Sequence, residues 1–134
     1  MTTLQPALYD TSVVIDVQEV DLGVYIDAPV LVSAVTVAEL AYGFDGDDQE
    51  VRRVRLRRVL ADYEVLGFGV EEAKLYGALS TLLRAVGRNA RPRRFDLLIA
   101  ATAAAARVPL LTMNPGDFRG MEQLVDVVPV GRAG

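Results

Sequence analysis

The chain is expected to fold as a single α/β domain, a mainly parallel sheet with helices on both faces. Two observations carry this: short apolar runs alternate with longer stretches whose apolar residues recur at helical spacing, and 134 residues that are 51% apolar suffice for one core and leave little length for a second. Alternating strands and helices close most simply as parallel strands joined by right-handed crossovers.

Taken in order, Leu8 and Tyr9 end a first strand, Ser12 is placed to cap a helix through Val13 to Val17, and Val30 to Ser33 is a second apolar run. Thr36 opens a helix in which Val37, Leu40, Ala41 and Phe44 share one face, before Gly46 and Asp47 break it. A helix from about Glu50 to Tyr63 is expected to bury Leu56, Val59, Leu60 and Tyr63, and residues 65–68 to form a strand. Glu71 to Val86 follows as a helix packed through Tyr76, Leu79, Leu83 and Val86, and Gly87 and Pro92 frame a basic loop. Phe95 to Arg107 is apolar nearly all round, the mark of a helix covered on several sides. Residues 109–112 read as a buried strand, Asp117 sits where a short helix starts, and residues 125–130 form the last strand.

Composition narrows the chemistry. With no His and no Cys, disulfide scaffolds and thiol or imidazole catalysis are excluded. The start MTTLQPALYD lacks a basic region and an apolar signal core, and the longest apolar stretch, Leu97 to Ala106, falls short of the roughly 18 residues of a membrane span. A cytoplasmic protein without membrane contact is expected. The net charge of -4 argues against a polyanionic partner, yet it hides a local bias. Arg52, Arg53, Arg55, Arg57 and Arg58 form one basic segment, and Arg84, Arg88, Arg91, Arg93 and Arg94 a second.

Four acids stand out by their settings: Asp10 in ALYDTSVVID, Glu39 in TVAEL, Asp96 in RFDLLIAATA and Asp117 in TMNPGDF. Parallel α/β sheets bind ligands at the carboxyl ends of their strands, and all four acids belong to strand ends or to the first turns of helices. Each has a purely structural alternative. Thr36-Val37-Ala38-Glu39 fits a capping box, and Asp96 and Asp117 fit the macrodipole at a helix start. Asp10 resists such a reading, because a carboxylate at the end of a buried strand must be partnered. Asp45, Asp47, Asp48 and Glu50 read as a hydrophilic turn, and Asp16, Glu19, Asp21 and Asp27 as a solvated rim.

In sequence order, a strand ending in D-T-S, then V-A-E-L, F-D-L-L-I-A-A-T-A and L-L-T-x-N-P-x-D-F resembles the PIN-domain ribonucleases, specifically the VapC-type toxins of bacterial toxin-antitoxin pairs. The likeness runs from Tyr9 to Phe118, and its specific part is D-L-L-I-A-A-T-A followed by T-x-N-P-x-D-F. It implies a three-layer α/β/α sandwich and endonucleolytic cleavage of RNA. It further implies Mg²⁺ or Mn²⁺ bound by an acidic quartet, here Asp10, Glu39, Asp96 and Asp117, with Asp10 and Asp96 the most direct metal ligands. Thr112 and Asn114 match the polar positions before the final acid. A VapB-like antitoxin that blocks the acidic cleft, sometimes with an inserted arginine, and a homodimer are implied as well.

The residues suit that chemistry on their own terms. Hard divalent cations take oxygen ligands, Mg²⁺ accepting one or two carboxylates and retaining waters, and a bound cation acidifies water so that no histidine base is required. Arg91, Arg93 and Arg94, in the loop leading to Asp96, are candidates to grip RNA phosphates, while a solvated helix face accounts equally for residues 52–58. Rival functions lack their residues. A phospho-receiver needs a lysine after a late strand, but the only lysine is Lys74 within a helix; a haloacid-dehalogenase-type phosphatase wants Asp where Ser12 stands; and G-x-G-x-x-G is absent. The remaining alternative is a catalytically degenerate module that binds RNA or protein.

Overall fold

The computed structural model describes residues 1–43 and 46–134. Its strands, in chain order, are β1 (Ala7–Tyr9), β2 (Val20–Asp21), β3 (Val30–Ser33), β4 (Glu64–Leu66), β5 (Leu110–Thr112), β6 (Val127–Pro129) and β7 (Gly131–Arg132). Five of them form one sheet in the order β4-β3-β1-β5-β6, and every ladder in it is parallel. β2 and β7 pair separately as a short antiparallel ribbon. From β1 the chain steps outward through β3 to β4, then returns to the other side of β1 for β5 and β6. The order therefore reverses between β1 and β5, the place where such sheets open a crevice.

Central strands of a parallel sheet are covered on both faces, so their apolar residues run continuously and alternate between two cores. Leu8, Leu31 and Leu110 join one core with Leu79, Leu83, Leu97 and Phe118. Tyr9, Val32 and Leu111 join the other with Val13, Val14, Leu40 and Val59. The first core is covered by α4 (Val70–Ala85) and α5 (Arg94–Ala106), the second by α1 (Thr11–Ile15), α2 (Ala34–Tyr42) and α3 (Gln49–Asp62). The result is the expected three-layer α/β/α sandwich.

α5 buries Leu97, Ile99, Ala100, Ala101, Thr102 and Ala103, and its small alanines combine high helix propensity with close packing. It ends at Arg107, whose φ of 57° puts a non-glycine residue in the left-handed position while its N–H reaches the carbonyls of Ala103 and Ala104.

Element bounds depart from the sequence expectation in physical detail. α1 is capped by Asp10 rather than Ser12, and α2 starts at Ala34 because Ser33, the last residue of β3, accepts from the Val35 N–H. Leu60 and Val86 are exposed: Leu60 lies beside Val59, the residue of α3 that is buried, and Val86 is the C-cap residue just past the end of α4. The two-residue strands β2 and β7 carry too little periodicity to be read from sequence. Phe44 on the α2 stripe and Asp45 in the acidic turn lie outside the described residues.

Candidate active site

The crevice between β1 and β5 is lined with oxygen atoms. Asp10 directly follows β1 and is 5% exposed. Its Oδ1 accepts from the Thr11 N–H at 2.8 Å, and its Oδ2 accepts from Ser12 Oγ at 2.9 Å and Thr112 Oγ1 at 2.8 Å. Thr112 ends β5 and its hydroxyl also accepts from the Asn114 N–H at 2.9 Å. Ser12 Oγ accepts from the Met113 N–H at 3.3 Å, so two hydroxyls stitch the β1 end to the turn after β5. A carboxylate offers about four lone-pair positions, and three donors leave Asp10 acceptor capacity in hand.

Glu39 enters from the second turn of α2. Its Oε1 accepts from Thr11 Oγ1 at 2.8 Å, and that hydroxyl lies 2.9 Å from buried Thr36 Oγ1. The capping-box alternative is thereby overturned: Ser33 caps α2, and Glu39 turns its carboxylate to Thr11 across the crevice. Asp96 projects from the first turn of α5, and Asp117 from the short 3₁₀ turn Pro115–Phe118. Arg93 Nη1 lies 3.5 Å from Asp117 Oδ1, a loose and partly exposed pairing. Asn114 contributes through its backbone, its carbonyl accepting from the Asp117 N–H at 3.0 Å.

The carboxyls sense one another. Asp96 is pushed up from 3.8 to about 6, chiefly by burial, then by the charges of Asp10 and Asp117, with Arg93 opposing and Glu39 adding. Burial also raises Asp10, against the pull of its three hydrogen bonds and with a push from Asp117. Glu39 is raised first by burial, its bond from Thr11 opposing and Asp10 reinforcing. Such a cluster stores repulsion that a cation relieves. Among the described residues no three carboxylates are drawn tightly enough to enclose an ion alone. Mg²⁺ as a rule takes one or two carboxylates and completes its shell with water and phosphate oxygens.

The four sequence-selected acids thus share one end of the sheet, and Thr112 touches the first of them. Missed were the hydroxyls of Thr11, Ser12 and Thr36. D-T-S displayed two of them in the sequence, but nothing local ties Thr11 to residues 25 and 28 positions away. The basic residues divide. In α3, exposed Arg53 pairs with Glu50, whereas Arg55 makes a largely buried pair with Asp47, so this segment is solvated only in part. Arg93 turns to Asp117, while Arg91 and Arg94 line a separate concavity with Arg84. On the rim, Arg132 of β7 bridges Asp16 and Glu19. Among the described residues no helix is long and apolar enough to cross a membrane.

Known proteins resemble this chain in sequence and in fold. The PIN domain family matches residues 7–122. Ribonuclease VapC of Rickettsia bellii (strain RML369-C) is 31% identical over 101 residues, covering 69% of this chain and 71% of that protein. Ribonuclease VapC1 of Rickettsia felis (strain ATCC VR-1525 / URRWXCal2) is 30% identical over 97 residues, with the same coverage. The crystal structure of VapBC-5 from Mycobacterium tuberculosis, a member of the VapBC family of toxin-antitoxin systems, aligns with a TM-score of 0.76 and 30% identity over 95% of this chain and 98% of that one. VapBC2 from Rickettsia felis, bound to a promoter DNA fragment, aligns with a TM-score of 0.74 at 23% identity over 92% and 98%, a likeness of fold.

Proposed function

The chain belongs to the PIN-domain family as a VapC-type ribonuclease toxin of a toxin-antitoxin system, and from that membership we propose that it hydrolyses RNA phosphodiester bonds endonucleolytically at Asp10, Glu39, Asp96 and Asp117 with Mg²⁺ or Mn²⁺. The observation that carries the proposal is the convergence of these acids where the strand order reverses, with Asp10 held there by three donors. Asp10 and Asp96 would hold the cation. When bound, it supplies a Lewis acid for the phosphate and lowers the pKa of a coordinated water.

The chain's own residues then have distinct tasks. Ser12, Thr112 and the Thr11 N–H fix the Asp10 carboxylate and leave it acceptor capacity for a further ligand. Thr11 holds Glu39 by Oε1, leaving Oε2 to accept a proton from the attacking water. A carboxyl raised by burial is a better base than a free one, which suits that role. Asp117, beside Arg93, orients the water or the phosphate at the outer edge.

A VapB-like antitoxin is the proposed partner, covering the acidic crevice, and a homodimer the proposed assembly. RNA cleavage by the purified protein tests the reading. Activity should vanish in chelator and return with Mg²⁺ or Mn²⁺; cleavage that persists in chelator would refute the metal-dependent mechanism.

A further inference from the structure

The start of α5 sends neighbouring side chains to different places. Arg93 faces Asp117, whereas Arg94 opens into a concavity of about 560 Å³ that it shares with Tyr76, Arg84, Asn89, Ala90 and Arg91. Among the described residues no carboxylate lines this concavity, and Arg84, Arg91 and Arg94 take part in no ion pair. All three are exposed.

Fold stability does not account for the set. Arg84, in the last turn of α4, suits the negative end of that helix dipole. Arg91 and Arg94 lie at the positive end of α5, where a cation is disfavoured, and the three guanidiniums repel one another. In a chain of net charge -4 this is a concentrated cationic hollow whose positive charge the protein leaves uncompensated. Planar guanidiniums with several donors match phosphate oxygens, and they do so without reading sequence.

We propose that Arg84, Arg91 and Arg94 form a second RNA-binding site, a phosphodiester groove beside the carboxylate crevice that holds the substrate strand away from the scissile bond. Arg94 is two residues from Asp96, so crevice and groove flank the same helix start, and one strand wrapping that start reaches both. Arg93 belongs to the crevice and not to this groove. The groove rests on the ribonuclease reading of the crevice.

The test uses the full chain carrying Asp10→Asn, so that RNA is bound and not cut. The probes are fluorescein-labelled single-stranded RNAs of mixed sequence, about 16 and about 4 nucleotides long. Adding Arg84→Gln, Arg91→Gln and Arg94→Gln together should weaken binding of the longer RNA more than the shorter. It should also flatten the slope of log affinity against log salt by about 2, near 0.7 for each lost phosphate contact. A control with Arg57→Gln and Arg58→Gln, exposed on α3, should keep the parental slope. Circular dichroism checks folding, and Arg91→Gln alone, expected to lower the slope by about 0.7, replaces the triple variant if that misfolds. An unchanged slope, or an equal fall in the α3 control, would overturn the groove. Failure of the unsubstituted protein to cleave RNA would instead overturn the ribonuclease reading.

Discussion

Thr112 Oγ1 donates to Asp10 Oδ2 at 2.8 Å, joining the ends of the two strands between which the sheet reverses its order. The same hydroxyl accepts from the Asn114 N–H, so one side chain fixes both the buried carboxylate and the turn that carries Asp117. Thr112→Val keeps the shape and removes both bonds. A hydrogen bond to a charged group contributes about 1.5–3 kcal/mol, and urea unfolding should show a loss in that range. Cleavage should fall as well, because Asp10 and Asp117 both lose their anchor.

Glu39 depends on Thr11 in the same way. Removing a group that orients an active-site ligand typically costs about 10- to 100-fold in activity or metal affinity, and Thr11→Val should cost that much in kcat/KM. Its pH-rate profile should shift upward, since the bond from Thr11 lowers the Glu39 pKa. Loss of activity without a profile shift would assign Thr11 to packing alone.

Asp96 sets a pH window. Its folded-state pKa of about 6 exceeds the ordinary 3.8, so it favours the fold when protonated. That contribution is complete below about pH 4 and disappears as pH rises through about 6. Because Asp96 is partly exposed, solvent screening reduces the effect to about 1 kcal/mol, and Asp96→Asn should flatten the curve. Cation binding opposes the trend, since it needs the ionised carboxylate. Above pH 6, Mn²⁺ at a hundredfold its Kd should stabilise the protein by about 2.7 kcal/mol, on the order of 10 °C in Tm.

Arg93 affects the centre with two signs. Its charge lowers the Asp96 pKa, so Arg93→Gln should move the acid limb of the cation-binding profile to higher pH. Once Asp96 is ionised, a repelling cation is gone and Mn²⁺ should bind more tightly. Calorimetric titration at pH 5.5 and pH 8 should show opposite changes; changes of one sign would place Arg93 outside the electrostatics of the centre.

Gly120 ties the turn after Asp117 to α4. It has φ +99°, and a Cβ there would lie 2.8 Å from Val86 Cγ2. Gly120→Ala combines backbone strain with overpacking and should destabilise by about 1–3 kcal/mol, read from thermal unfolding.

Much of the fold was legible because its signals are local. The strands and helices announce themselves through apolar runs and helical spacing, and each acid sits in a short motif beside one of them. What was hidden depends on long-range placement. Thr36-x-x-Glu39 satisfies a capping pattern, yet β3 ends at Ser33 and that serine caps the helix first, freeing Glu39 to meet Thr11. The basic loop looks uniform in sequence, and only the turn geometry at the start of α5 separates Arg93 from Arg91 and Arg94. Leu60 and Val86 fit their helical stripes, but α3 buries Val59 instead and α4 ends one residue before Val86.

The central claim is that Asp10 and Asp96 together hold the cation that cleavage requires. It is tested most directly by titrating Mn²⁺ into the unsubstituted protein and into Asp10→Asn and Asp96→Asn, following thermal stability and RNA cleavage in the same samples. The account predicts that the unsubstituted protein gains stability and activity with Mn²⁺, while both variants fold, show no gain in stability and leave RNA intact. Undiminished, cation-dependent cleavage in either variant would contradict it.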